Sequence, residues 1–148
     1  MRPLVILIVL AAAGGALAAT PAESIKARQT HYKEIGKGFK AIRDELQKPK
    51  VDVALVQREA AALKAFGPQI AAWFPTGSGS GAGLKTAAKA EIWSDPKGFA
   101  EQVQNFNART ERFYAVASNG DVAQMKQAIP QLGGACKSCH DKFKVDEH

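Results

Sequence analysis

Methionine and cysteine are scarce in this 148-residue chain, which holds two of each. Met1 is one of the methionines, so Met125 is the only internal thioether. The cysteines, Cys136 and Cys139, lie three apart near the C-terminus. A bridge closing so short a loop constrains little of the unfolded chain, so the pair is a poor candidate for a disulfide framework. No segment alternates apolar and polar residues with period two, which removes β-architectures from consideration. The Gly- and Ser-rich run over residues 75–83 fits neither G-x-G-x-x-G nor a P-loop and has no strand before it, which argues against phosphate binding. Basic residues outnumber acidic ones by 20 to 14 but are interspersed with them, whereas a nucleic-acid binder concentrates them in one stripe. No nucleic acid is therefore expected as a partner. No nucleophile and base share a face, and few carboxylates fall on inward positions, so the chain does not read as an enzyme.

The first 19 residues read as a cleaved export signal. Arg2 supplies the positive start, Val5 to Ala13 the apolar stretch, and Ala16, Leu17 and Ala18 an A-x-A cleavage pattern. A membrane anchor is the competing reading, because Pro3 to Ala19 carries no charge. The run is short for a span and its second half is Ala and Gly, so no membrane association is expected once the signal is removed. Residues 20–148 remain, one domain's worth, with a formal charge of +5 once Arg2 is gone. That excess suits an acidic partner.

Four segments carry helical periodicity. In the first, Ile25, Arg28, Tyr32, Ile35, Phe39, Ile42 and Leu46 step by threes and fours into one stripe. Thr20, Pro21 and Glu23 supply its cap, first position and capping box, predicting a helix from about Pro21 to Gln47. Asp52 caps a second helix with Val56, Ala60, Leu63 and Phe66 inward, ending at Gly67 and Pro68. Ile70, Trp73 and Phe74 then form an apolar turn over the bundle end, followed by a flexible crossover. Asp95 and Pro96 open a third helix through Phe99, Val103, Phe106, Thr110, Phe113 and Ala117, which Asn119 and Gly120 end. Asp121 caps the fourth, with Val122, Met125, Ile129, Leu132, Cys136, Cys139 and Phe143 inward and a kink expected at Pro130. The fold class is all-α: an antiparallel four-helix bundle, up-down-up-down.

Cys136, Lys137, Ser138, Cys139 and His140 spell C-x-x-C-H, the attachment signature of c-type haem. Two thiols one turn apart reach two vinyl groups of a porphyrin, and the next imidazole turns under the ring to the iron. The alternatives are a local disulfide, a zinc half-site and a thioredoxin-like pair. Zinc lacks a second pair of ligands, and no βαβ context supports the redox motif. The sixth iron position decides between an electron carrier and a ligand-binding haem. Met125 shares a helix with His140 four turns away and cannot cross the ring, so it reads as core filler. His31 sits beside the first stripe, facing a helix edge or water, and His148 is the last residue. Tyr32 is on the stripe, as a core aromatic or as a lid over the distal haem face. Arg28, one turn earlier, needs a partner inside the bundle, which a haem propionate would supply.

Together these residues resemble the cytochrome c′ family over about Ala22 to Lys144. The shared features are Arg28 and Gln29, the run Glu91, Ile92, Trp93, Ser94 and Asp95, and the C-terminal motif. The resemblance implies one covalent haem c per chain, attached at Cys136 and Cys139 with His140 as the proximal iron ligand. It implies a high-spin, five-coordinate iron in the periplasm that binds nitric oxide or carbon monoxide, with electron transfer to a redox partner protein alongside. Tyr32 would occlude the distal face, Arg28 and Gln29 would lie near the propionates, and the chain would form a homodimer through its first two helices. Lys144 stands where the family commonly has arginine; it keeps the charge and loses the planar fork. Relatives with a low-spin, six-coordinate haem, the alternative reading as an electron carrier, place a methionine on the first helix, and this chain has none there.

Overall fold

The computed structural model describes residues 19–145. The signal reading, apart from Ala19, and His148 lie outside the described residues. Among the described residues, five α-helices occur in the order α1 (Pro21–Leu46), α2 (Val53–Phe66), α3 (Glu91–Ser94), α4 (Pro96–Ser118) and α5 (Val122–Phe143). The four long helices form an antiparallel bundle in which α1 packs on α2, α2 on α4, α4 on α5 and α5 back on α1. Among the described residues there is no helix long and apolar enough to cross a membrane.

Capping chemistry sets the helix starts. The Thr20 side chain accepts from the Glu23 amide while Glu23 reaches back to the Thr20 amide, closing the capping box at α1. Asp52, Asp95 and Asp121 accept from the amides three residues on and start α2, α4 and α5. Gly120, at φ +75°, makes the tight turn between α4 and α5. The first helix ends at Leu46 with Gln47 as its cap, one residue short of expectation.

Burial follows the seams. Ile25, Ile42, Val56, Leu63, Phe113 and Met125 are almost wholly enclosed, and Met125 is a core filler as expected. In α5 the stripe departs from expectation: Ala128 and Ala135 are buried, whereas Ile129, Cys136 and Cys139 are half-buried. The small alanines let the helix approach its neighbours and leave the two thiols at an opening in the core.

Three further details refine the sequence reading. The chain does not leave helical form at Gly67 and Pro68: it tightens into a 3-10 helix from Gly67 to Trp73, with Pro68 in the first turn, where its missing amide costs nothing. α5 runs unbroken through Pro130, which is exposed together with Lys126, so water can satisfy the carbonyl left without its amide. The crossover is not a free tether, because Arg28 and Gln29 tie it to α1 through Ser78, Lys85 and Thr86.

Candidate haem-binding site

The last two turns of α5 place Cys136, Cys139 and His140 on the wall of a cavity of about 820 Å³, within the range of small-molecule and cofactor sites. Positions three and four apart share a helix face, which is why one short motif delivers two thiols and an imidazole to one cavity. Ile35 and Phe39 from α1, Ile70 from the 3-10 helix and Phe74 just after it, and Phe99 and Phe106 from α4 make the other walls apolar. Lys26, Arg28, Lys33 and Lys144 also line it, and among the described residues no aspartate or glutamate does. An apolar slot bordered by cations and free of carboxylates matches a flat hydrophobic ring that carries anionic side chains, so the residues present fit a haem.

Both cysteines are free thiols. Burial pushes each above its ordinary value; for Cys139, with Cys136 as a second cause, the rise is to about 11. His140 moves the other way: burial first and the nearby Lys144 charge second hold it below its usual value, against Asp141. At neutral pH the imidazole is therefore uncharged, the form that ligates a metal. Among the described residues no three His, Cys, Asp or Glu side chains gather as a metal cluster.

Tyr32 reaches the same cavity from α1. Its ring stands edge-on to Trp73 and tilted against Phe74. Burial raises its phenol above the usual range, with Cys139 adding to that and Arg28 opposing it, so the hydroxyl stays protonated. Arg28 is buried but not unpaired. Its guanidinium donates to the Ser78 hydroxyl (2.8 Å), the Ser78 carbonyl (2.7 Å) and the Thr86 hydroxyl (2.7 Å), and lies 4.8 Å from the centre of the Phe74 ring. Three of its five N–H donors are thus spent on the crossover, so a haem propionate is not needed to satisfy its burial. Gln29 donates to the Lys85 carbonyl at 3.0 Å and lines the cavity edge. Lys144, at the C-cap of α5, is also at the cavity.

His31 does not line the cavity: it stacks on Trp73 at 4.6 Å, on a helix edge as its register implied. Met125 is likewise away from it, deep in the core. Ser78 and Thr86 are the residues that sequence reading missed, together with the bracing role of Trp73, which it placed only in an apolar turn. They sit in or beside a Gly- and Ser-rich stretch whose composition carries no period, and only the fold shows that they brace Tyr32 and Arg28.

A helical bundle that turns a C-x-x-C-H motif into an apolar, cation-bordered cavity is a c-type haem protein by fold and site. The sequence profile of cytochrome c′ matches residues 23–144, and the chain belongs to that family, whose members carry covalently attached haem c, as this chain does. It is 34% identical to cytochrome c′ of Pararhodospirillum photometricum over 128 residues, 85% of this chain and 99% of the relative. A solved cytochrome c′ with ligand-controlled dimer dissociation superposes with a TM-score of 0.82 at 25% identity, covering 87% of this chain and 99% of that one. A ferrous variant of cytochrome c prime from Alcaligenes xylosoxidans with bound nitric oxide gives 0.77 at 27% identity, covering 88% of this chain and 99% of that one.

Proposed function

We propose that this chain is a periplasmic, non-enzymatic haem protein that binds nitric oxide or carbon monoxide at a five-coordinate, high-spin iron. The observation that carries the reading is the donor set of the cavity: among the described residues His140 is the one imidazole that lines it, and no methionine does. When bound, the haem supplies an iron able to take a diatomic gas. Cys136 and Cys139 supply the two thioether sulfurs, and His140, kept neutral by burial, is the proximal ligand. Tyr32, protonated and braced by Trp73, excludes water and larger molecules from the other side. Arg28 and Gln29 lie at the propionate edge, where Arg28 also anchors the crossover. Lys144 borders the proximal histidine and depresses its proton affinity.

Removal of residues 1–19 on export accounts for the apolar N-terminal run and delivers residues 20–148 to the compartment where thiols are joined to haem. The relative whose dimer dissociates under ligand control supports a homodimer here. The lysines around the cavity suit an acidic redox partner. The optical spectrum of the ferrous protein, with and without carbon monoxide and nitric oxide, tests the reading. A mass measurement of the exported chain tests attachment, with a gain of one haem expected and the unmodified mass as the contrary result.

A further inference from the structure

The last turn of α5, which carries His140, is held from outside the helix. The Lys144 amide donates to the His140 carbonyl at 3.0 Å, closing the turn from within. Residues 86–89 of the crossover then run antiparallel to residues 143–145, with Ala88 bridged to Lys144. The Lys89 amide donates to the Phe143 carbonyl at 3.0 Å, the Val145 amide to the Ala87 carbonyl at 2.8 Å, and the Lys89 ammonium to the Asp141 carbonyl at 3.2 Å. Carbonyls in the last turn of a helix have no partners within it, and here the crossover supplies partners for two of them.

The same strap is fastened at its other end to α1. Thr86 is the junction: its hydroxyl oxygen accepts both from the Arg28 guanidinium at 2.7 Å and from the Ala88 amide at 3.2 Å. Gln29 adds a bond to the Lys85 carbonyl, just before the strap. Arg28, one turn from Tyr32, is thus linked to the end of α5 through the Thr86 hydroxyl, the backbone of residues 86–89, and the bonds that Ala87 and Lys89 make to Val145 and Phe143. Charge-assisted bonds of this kind are short and directional, and a shared acceptor couples the two donors in position.

We propose that Thr86 is a positioning residue for His140: by joining Arg28 to the Ala88–Lys144 bridge, it ties the distal helix to the proximal turn and fixes the setting of the iron ligand. The inference rests on the assignment of His140 as that ligand. Any displacement of the Arg28 end of the chain is then passed to the proximal turn through the Thr86 hydroxyl, without contact between Tyr32 and His140.

The test compares the haem-loaded wild type with Thr86→Val, which keeps the shape and loses the acceptor, and Thr86→Ser, which keeps the acceptor. Hydrogen exchange of peptides covering residues 139–145 should rise about tenfold in Thr86→Val, as expected when a part-buried donor pair loses its acceptor, and return to the wild-type value in Thr86→Ser. In the ferrous protein, the iron–histidine stretching band in resonance Raman should shift in Thr86→Val and be restored in Thr86→Ser. Faster exchange confined to the crossover, with the C-terminal peptides and the band unchanged, would overturn the proposal. If Thr86→Val does not fold, the wild type alone decides: the amides of Ala88, Lys89 and Val145 should share one opening free energy, and independent values would contradict the strap. The exchange arm does not depend on iron coordination, so a failure of the gas-binding reading is distinguishable from a failure of this one.

Discussion

Tyr32 meets Trp73 edge-on, with ring centroids 5.4 Å apart and planes at 87°, and Trp73 is in turn stacked on His31 at 4.6 Å. The proposed distal lid is thus held by a residue from the 3-10 segment, which itself leans on α1. Edge-to-face pairs contribute about 0.5–1.5 kcal/mol beyond their buried area, enough to bias the lid without locking it.

Size, more than the hydroxyl, should govern access to the iron. Tyr32→Ala should raise carbon monoxide affinity about tenfold or more, equivalent to ~1.4 kcal/mol, while Tyr32→Phe stays within about threefold of wild type. Equilibrium titration of the ferrous protein with carbon monoxide measures both. A Phe variant that behaves like the Ala variant would show that the hydroxyl, and not the ring, controls binding.

Removing the brace should act in the same direction but less strongly. Trp73→Leu is expected to speed carbon monoxide association about threefold and to lower unfolding free energy by about 2 kcal/mol, from lost ring contacts and packing. Flash photolysis and urea titration check the two parts separately.

Arg28 should be worth more to stability than a surface cation, because it is buried and makes three hydrogen bonds. Arg28→Met should cost about 2–4 kcal/mol, leaving the Thr86 and Ser78 acceptors unmet. Arg28→Lys should recover only part of this, since an ammonium cannot span the same fork. Ser78→Ala, which removes one acceptor, should cost about 1 kcal/mol. Urea unfolding of the four proteins measures the series.

At the opposite turn, Glu45 governs an acid-sensitive joint between α1 and α2. The Lys48 ammonium donates to its carboxylate at 2.6 Å and the Asp52 amide at 2.8 Å, and in that order they hold Glu45 below the usual carboxylate range. A lowered folded-state value means that the stabilisation is present above the unfolded carboxylate value of about 4.3 and is lost as pH falls through the folded one. Glu45→Gln should therefore be less stable than wild type at pH 7 and should lose less stability on acidification to pH 3. Urea midpoints at the two pH values test this.

Most of the bundle was legible because its signals are local. Thr20, Asp52, Asp95 and Asp121 each announce a helix start, and the seam residues of α1 and α4 repeat with helical spacing over about five turns or more. The haem motif was legible for the same reason: Cys136, Cys139 and His140 lie within five residues. What could not be read is long-range. Arg28 on the seam signalled a missing partner, but Ser78 and Thr86, which are 50 and 58 residues away, give no sign of being that partner. Pro130 removes an amide inside α5, yet the helix continues through it, because packing leaves that position and Lys126 exposed. The 3-10 continuation after Phe66 was hidden because Gly67 and Pro68 look like a stop, yet both suit a tighter helix.

The optical spectrum of the dithionite-reduced protein tests the central claim most directly. With His140 as the only strong ligand, the ferrous protein should show a broad, high-spin spectrum without a sharp α band, and carbon monoxide and nitric oxide should each convert it to a distinct ligand-bound spectrum. A sharp low-spin α band before any gas is added, unaltered by either gas, would contradict the account.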